Sequence, residues 1–437
     1  MKTTIMLEHE PYGAGGASGG GDGGAAAHVV RALLRIEAEP RSDQARVPLN
    51  LSIVLDRSGS MAGAKLAAAR EAAALLVRRL WPEDVVSVVA YAEGVMTIAP
   101  PATGAEQAGL PRRIEAIRSG GSTNLSGGWL RGRELVGQNL RKEGVNRVLL
   151  LTDGLANVGI VDPDALTGLC AAARREGITT TTIGFGADYD EHLLRAMADA
   201  GGGNTYYIER PDQAPGIFEE EIQGLLSLAA QNLAVTVMPA PAASVTAVHH
   251  DYRRAPAENG VRLELGDLYA REPRSLLLEF LVRTRPGPVP AEEAAVATVC
   301  VTGHVITSSG DVEHREIRLP ITFSPAEGPR VNPEVRRELM LIRTARARQE
   351  ALERRARGDF DGASTVLSEI AAALELGWAH DPELAEEAAD LRAMARKFYL
   401  RDITVRDAKY LYQRSYDNLR SRVEAKKRIL RNRTEDA

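Results

Sequence analysis

The sequence predicts a multidomain protein that combines a doubly wound, Rossmann-like α/β domain with a β-sandwich and a C-terminal α-helical region. Three observations lead to this fold class. Between residues 46 and 227, apolar runs alternate with amphipathic helical segments, which is typical of a parallel sheet covered by helices. Residues 228–326 contain short extended runs without intervening helices and indicate a sandwich. Residues 327–437 then show helical periodicity.

The α/β domain is expected to contain five strands and five helices. The strands are predicted at 51–56, 85–91, 147–152, 178–184 and 204–208, where apolar residues are nearly continuous, as in strands covered on both faces. The helices are predicted at 65–80, 125–140, 164–175, 191–199 and 214–228, where apolar residues keep to one face. Such a sheet predicts ligand binding beyond the carboxyl ends of its strands.

The sandwich is predicted from six extended runs, at 233–237, 244–248, 261–265, 275–283, 295–301 and 316–323. Residues 1–45 add two further runs, 3–9 and 28–38, which we expect to pair with the later strands. The α/β domain would then be inserted into the sandwich. A glycine-rich run at 13–24 separates the two early strands, and we interpret it as a flexible hairpin loop because no Gly-Lys-Ser or Gly-Lys-Thr of a phosphate loop follows.

The C-terminal region is predicted to be a small helical bundle. Asn332 and Pro333 form a cap and first-turn pair for a helix through residue 356, and further helices are expected at 363–376, 382–400 and 404–430. Basic residues cluster in 420–433, at Arg422, Lys426, Lys427 and Arg428. They could meet nucleic acid or an acidic partner, but Glu424 interrupts them and no aromatic platform lies among them, which favours a solvated helix face.

Composition narrows the class of protein. The 437 residues leave room for about three domains, and the net charge of −5 is spread along the chain, which argues against a nucleic-acid-binding footprint. The two cysteines indicate no disulfide framework. The first ten residues lack the apolar segment of a signal peptide, and no apolar run approaches the roughly 20 residues of a membrane span. We therefore expect a cytoplasmic protein without a membrane partner, and the excess of arginine over lysine hints at a bacterial genome.

One segment joins a buried strand to a set of oxygen-bearing side chains. The apolar run 51–55 ends in Asp56, and Ser58 and Ser60 follow at alternate positions around a glycine that permits a sharp turn. Their oxygens are hard ligands of the kind that Mg²⁺ takes, because that ion binds few protein carboxylates and keeps several waters. The segment predicts a divalent cation site, with Mg²⁺ as the favoured ion and Mn²⁺ or Ca²⁺ as alternatives.

Two further segments direct polar oxygens to the same edge of the predicted sheet. A glycine pair makes a tight loop before a predicted helix, so that the hydroxyl of Thr123 projects at the helix start. The strand 147–152 is followed directly by Asp153. Because parallel strands end at one edge of a sheet, we expect Asp56, Thr123 and Asp153 to converge there.

Each of these residues also has an ordinary structural interpretation. Asp56 or either serine could cap the helix that begins near residue 62. Thr123 or its neighbour Asn124 could cap the next helix, and Asp153 could belong to a simple turn. For each residue taken alone, a capping or turn role is about as plausible as metal binding. Taken together, oxygens from three converging segments favour a metal site.

The same positions resemble the metal-ion-dependent adhesion site of the von Willebrand factor type A (VWA) family, whose pattern is Asp-x-Ser-x-Ser, then Thr, then Asp. Asp56, Ser58, Ser60, Thr123 and Asp153 match it in order, within roughly residues 46–227. The resemblance implies that the serines, and Thr123 in the ligand-competent state, bind the metal directly while the acids act through waters. It also implies a ligand shell that a partner's carboxylate completes, and a switch in which Thr123 changes its contact as the last helix of the domain shifts.

The expected function is a divalent-metal-dependent protein-binding adaptor, in which a Mg²⁺ site captures an Asp or Glu of a protein partner. Two alternatives stay open: an accessory subunit of an AAA+ ATPase of the MoxR or chelatase type, and a scaffold with a purely structural metal. No catalytic residue is assigned. A Mg²⁺-dependent phosphatase of the haloacid-dehalogenase type is disfavoured, because the second acid that it needs is replaced by Ser58. A serine hydrolase is also unsupported, because no His partner stands at a recognisable spacing.

Overall fold

The structure is a computed structural model that describes residues 1–12, 26–38, 47–141, 144–153, 156–186, 190–208, 210, 213–270, 272–284, 295–307, 311–325 and 328–420. The glycine-rich run 13–24 and the basic cluster at 422–428 lie outside the described residues. The chain forms two compact units. The first unit comprises Met1–Glu39, Leu233–Gly303 and His314–Ala437, and the second comprises Pro40–Asn232 and His304–Glu313. The four-part division at residues 46, 228 and 327 stays a prediction.

The elements are numbered in chain order. The strands are β1 (Lys2–Pro11), β2 (Ala26–Glu37), β3 (Leu49–Asp56), β4 (Val85–Tyr91), β5 (Val95–Thr103), β6 (Val145–Thr152), β7 (Thr179–Phe185), β8 (Gly202–Ile208), β9 (Leu228–Pro239), β10 (Ala243–Val248), β11 (Arg253–Ala257), β12 (Gly260–Tyr269), β13 (Arg274–Thr284), β14 (Ala295–Ile306) and β15 (Val312–Thr322). The α-helices are α1 (Ala64–Arg79), α2 (Leu110–Glu115), α3 (Leu125–Gly137), α4 (Pro163–Arg175), α5 (Glu191–Gly201), α6 (Ala214–Leu226), α7 (Pro333–Ala356), α8 (Phe360–Trp378), α9 (Pro382–Tyr399) and α10 (Val405–Leu419).

The second unit contains a six-stranded sheet in the order β5-β4-β3-β6-β7-β8. The neighbours from β4 to β8 are parallel, and every residue of β3, β4, β6 and β7 is buried, which explains their continuous apolar sequences. Helices α3, α4 and α5 share one apolar core with the sheet, while α1 packs with α2 and α6. The predicted doubly wound α/β fold is confirmed.

The edge strand β5 was not predicted. It runs antiparallel to β4 and contains Pro100 and Pro101, and most of its residues are exposed or half-buried. Proline cannot donate a ladder hydrogen bond, so it is confined to sheet edges and obscures a strand in the sequence. The β4–β5 pairing shows two register shifts, as expected of an irregular edge.

The first unit contains two antiparallel sheets. One has the order β1-β2-β13-β10 and the other has the order β11-β12-β9-β14-β15. The early strands pair with later ones: β2 runs antiparallel along the whole of β13, from Ile36 opposite Arg274 to Ala26 opposite Thr284. The short strand β11, rich in arginine and interrupted by a proline, was not predicted.

Four helices complete the first unit and confirm a C-terminal helical region. The predicted cap of α7 is confirmed: the side chain of Asn332 accepts hydrogen bonds from the N–H groups of Glu334 and Val335. Val335 and Ile342 of α7 share an apolar cluster with Leu33 and Leu277, so the helix packs on the four-stranded sheet. Among the helices in the described ranges, none combines the length and apolar composition needed to cross a bilayer.

Candidate metal centre

The strand order of the second unit reverses between β3 and β6. The chain places β4 and β5 on one side of β3 and then returns to place β6, β7 and β8 on the other side. β3 and β6 are parallel, with Leu55 opposite Leu151, so their carboxyl ends share one edge. Asp56 ends β3, and Asp153 follows the last residue of β6. Both acids therefore lie at the switch point where open α/β sheets bind ligands.

Asp56 is fully buried, and its two carboxylate oxygens have different partners. Oδ1 accepts a hydrogen bond from the backbone N–H of Ser58 at 2.7 Å, and Oδ2 accepts one from the hydroxyl of Thr152 at 2.6 Å. Burial raises the pKa of Asp56 above its ordinary value of 3.8, although these hydrogen bonds act in the opposite direction. Neutral donors offset only part of the desolvation cost of a carboxylate, so this position favours a nearby cation.

The hydroxyls of Ser58 and Ser60 connect this buried group to Asp153. Their Oγ atoms lie 3.1 Å apart, and Ser60 Oγ donates a hydrogen bond to Asp153 Oδ1 at 2.8 Å. Ser58 and Asp153 are buried, whereas Ser60 is exposed. A chain of hydrogen bonds therefore runs from buried Asp56, through Ser58, to Ser60 at the surface.

The capping interpretation is wrong for Asp56, Ser58 and Ser60. Helix α1 has Gly63 as its N-cap, and the short 3-10 helix Gly59–Met61 begins without a capping hydrogen bond from a side chain. In α3 the cap is Asn124, whose Oδ1 accepts a hydrogen bond from the N–H of Gly127 at 2.9 Å. Thr123 is the residue before that cap.

Backbone hydrogen bonds bring Thr123 to the same edge. The N–H of Gly59 donates to the carbonyl of Gly121 at 3.0 Å, so the loop after β3 lies beside the loop that precedes α3. Gly121 has a φ of 86°, a left-handed conformation that glycine adopts without strain. Thr123 is buried, and its carbonyl accepts hydrogen bonds from the N–H groups of Asn157 and Val158 in the loop after β6.

Two residues of the site were missed in the sequence. Thr152 holds Asp56, and the Nζ atom of Lys65 lies 2.5 Å from Asp153 Oδ2. Thr152 could have been noticed as a polar side chain at the end of an apolar strand. Lys65 could have been noticed because it lies in the first turn of α1, where the helix dipole disfavours positive charge.

The donor set consists of two carboxylates and three hydroxyls. These hard oxygens suit Mg²⁺ or a similar ion, and they are a poor match for Zn²⁺, which favours nitrogen and sulfur. Throughout the part of the chain that the structure describes, no group of three or more His, Cys, Asp and Glu side chains could hold a metal. The residues present therefore fit a small divalent cation held largely by neutral oxygens.

Comparison with known proteins identifies the type of domain that contains these residues. The sequence profile of the von Willebrand factor type A domain matches residues 50–220. The protein sll0103 of Synechocystis sp. is 27% identical over 362 residues, which cover 80% of this chain and 84% of that protein. YfbK of Escherichia coli is 29% identical over 258 residues, 57% of this chain and 45% of that protein. The match thus spans less than half of YfbK and most of sll0103.

A solved structure gives independent support for the fold. The von Willebrand factor type A protein from Catenulispora acidiphila has a TM-score of 0.63 to this chain at 20% identity, covering 90% of this chain and 89% of that chain. At that identity the likeness concerns the fold alone. The profile match over residues 50–220 and the two bacterial relatives identify a von Willebrand factor type A domain in this chain.

Proposed function

We propose that this protein binds a protein partner through a divalent metal, preferably Mg²⁺, held by Asp56, Ser58, Ser60, Thr123 and Asp153. The observation that carries the proposal is the chain of hydrogen bonds that runs from buried Asp56, through the backbone N–H and hydroxyl of Ser58, to exposed Ser60 at the strand switch point. The matched VWA domain supports it, because VWA domains commonly mediate protein–protein interaction and often bind a divalent metal.

In this proposal the residues have distinct roles. Ser58, Ser60 and Thr123 offer neutral hydroxyl oxygens, while the two acids fix the serines through hydrogen bonds to Ser58 N–H and Ser60 Oγ. A bound Mg²⁺ would supply an electrophile that accepts one further anionic oxygen. Ser60 is the exposed member of the five, so an incoming Asp or Glu side chain approaches on its side of the cluster.

The proposal predicts metal-dependent partner capture. Proteins retained from native lysate by the wild type with Mg²⁺ should be lost with chelator and with Ser58→Ala. Ser227→Ala, which removes a hydroxyl beyond the end of α6, is the matched control and should retain them. Binding is then measured with purified partner, in which single Asp→Asn and Glu→Gln changes should identify one essential acid. An identical set of proteins in every condition would contradict the proposal.

The retained proteins, the melting temperature and an assay with a phosphate ester separate the alternatives. A purely structural metal should raise the melting temperature of the wild type without changing the retained proteins, because an ion that binds only the folded state stabilises it by mass action. An accessory role for an AAA+ ATPase requires that the retained protein be such an ATPase. A phosphatase would hydrolyse a generic phosphate ester in the presence of Mg²⁺.

A further inference from the structure

Lys65 is a basic side chain at the edge of the candidate metal centre. Its Nζ atom lies 2.5 Å from Asp153 Oδ2, and the other oxygen of that carboxylate accepts the hydrogen bond from Ser60. The side chain of Asp153 is fully buried, and that of Lys65 is 28% exposed. The carboxylate of Asp153 therefore contacts both the hydroxyl of Ser60 and the ammonium group of Lys65.

The position of this ammonium group depends on a glycine from another strand end. Gly186 directly follows β7 and has a φ of 78°. A Cβ atom there would lie 2.9 Å from Cε and 3.1 Å from Nζ of Lys65, so a side chain at position 186 would displace the ammonium group. The lysine also lies in the first turn of α1, where positive charge opposes the helix dipole. Helix stability therefore does not account for its placement.

We propose that Lys65 is a tethered cation that lowers the affinity of the site for metal and raises the affinity of the loaded site for an anionic partner. This inference rests on the proposed function. Asp56 and Asp153 carry two negative charges, and Lys65 reduces the net charge of the cluster to minus one. A divalent cation then makes the loaded site positive, and a partner's carboxylate neutralises it.

Without Lys65 the net charge of the site differs both when the metal binds and when the partner's carboxylate binds. The cluster would carry two uncompensated negative charges, which bind a divalent cation more tightly, since a nearby ammonium group repels that cation. The loaded site would then be neutral and would attract a carboxylate less. In the metal-free protein, the buried Asp153 would lose its partner charge, which is strongly destabilising for a buried carboxylate.

The test compares Lys65→Met with the wild type. Calorimetry should show Mg²⁺ binding that is at least about tenfold tighter in the variant, because even water-like screening leaves roughly that factor for a charge a few ångströms from a divalent cation. The melting temperature without metal should fall, and its rise on adding Mg²⁺ should be larger than in the wild type. With Mn²⁺ as a paramagnetic replacement, water proton relaxation follows an acetate titration, and acetate should bind more weakly to the variant by about tenfold.

Two control variants isolate the effect of charge at this position. Lys65→Arg keeps the charge and should stay close to the wild type. Arg78→Met removes an exposed charge 13 residues along the same helix, about 20 Å away, and should change neither affinity. Should Lys65→Met fold poorly, Lys65→Gln gives the same comparison while still donating a hydrogen bond to Asp153.

The outcomes distinguish this inference from the function on which it rests. Unchanged or weaker Mg²⁺ binding in Lys65→Met or Lys65→Gln overturns the role of Lys65 and leaves metal-dependent capture intact. Tighter Mg²⁺ binding with unchanged acetate affinity also overturns it, because the two effects must oppose one another. Failure of the wild type to bind Mg²⁺ saturably overturns the proposed function and the inference together.

Discussion

Asp56 bears the largest electrostatic cost within the candidate metal centre. It ends a strand whose eight residues are all buried, and its partners there are the N–H of Ser58 and the hydroxyl of Thr152. Loss of water disfavours the charged form of such a group, which is why its pKa is raised. A charge held at this cost is easier to understand as part of a cation site than as a contribution to the stability of the sheet.

Asp56→Asn is expected to stabilise the metal-free protein by roughly 1 kcal/mol and to abolish its response to Mg²⁺. The amide is neutral and avoids the desolvation cost, while its Oδ1 can still accept the hydrogen bond from Ser58. Thermal unfolding with and without Mg²⁺ measures both effects. If the metal-free variant were less stable than the wild type, the existing partners of Asp56 would already offset the desolvation cost of its carboxylate.

Helix α3 positions Thr123 because two of its glycines allow a close approach to the sheet. A Cβ at Gly128 would lie 2.4 Å from Cδ1 of Tyr91, and one at Gly132 would lie 2.3 Å from Cγ2 of Val54. Both are shorter than any real contact of that kind, so a side chain at either position must push the helix outward. The depth of the N-terminus of α3, and with it the position of Thr123, depends on these glycines.

Gly128→Ala should therefore destabilise the α/β unit by about 1–3 kcal/mol and weaken Mg²⁺ binding. Gly137→Ala in the same helix is the matched control, because its nearest neighbour would be Cδ1 of Ile178 at 3.9 Å. That change should be neutral or stabilising by up to about 1 kcal/mol, since alanine is the better helix former. Urea unfolding measures both variants, and equal effects would refute a role for close packing.

Helix α6, the last helix of the α/β unit, is anchored on the sheet by Glu221. Its Oε1 atom accepts hydrogen bonds from Arg147 at 3.1 Å and Thr181 at 2.9 Å, and its Oε2 atom accepts them from Asn204 at 3.0 Å and Tyr206 at 2.8 Å. All five side chains are buried. A shift of α6, which the family resemblance implies, must break these bonds or move their partners. That shift stays a prediction, and its main free-energy cost is the loss of these hydrogen bonds to Glu221.

In the first unit, charged contacts join segments that are far apart in the chain. Arg31 of β2 contacts Glu8 at 2.9 Å, Glu10 at 2.8 Å and Glu279 of β13 at 2.9 Å, and Arg336 of α7 contacts Glu8 at 2.7 Å. The network links three strands and a helix through carboxylates. The stability of the whole unit should therefore depend on the ionisation of these acids.

The pH dependence of unfolding tests this network. His249 and Arg31 lower the pKa of Glu279 from 4.5 to about 2. A carboxylate with a lowered pKa in the folded state stabilises the fold above its unfolded pKa and loses that contribution as the pH falls. We expect the free energy of unfolding to drop between pH 4.5 and about 2, and Glu279→Gln to reduce that drop. Glu258→Gln, at an exposed position, should leave the drop unchanged in denaturant titrations across this range.

Much of this protein follows from local patterns in the chain. Continuous apolar runs predict the parallel strands, the Asp-x-Ser-x-Ser segment and Asp153 directly follow two of these strands, and Asn332 marks the start of α7. These predictions succeed because the physical causes act over a few residues: burial on both faces of a strand, a sharp turn at a glycine, and capping of free backbone N–H groups.

Other features depend on contacts between distant segments. The prolines of β5 hide an edge strand, and the expected pairing of the early strands with later ones did not specify β13 as the partner of β2. The contacts of Lys65 with Asp153 and of Thr152 with Asp56 span 88 and 96 residues. Periodicity along a chain specifies which face of an element is buried, but it does not specify which distant side chain lies opposite. The contact between Lys65 and Asp153, which sets the net charge of the candidate metal centre, therefore follows only from the tertiary structure.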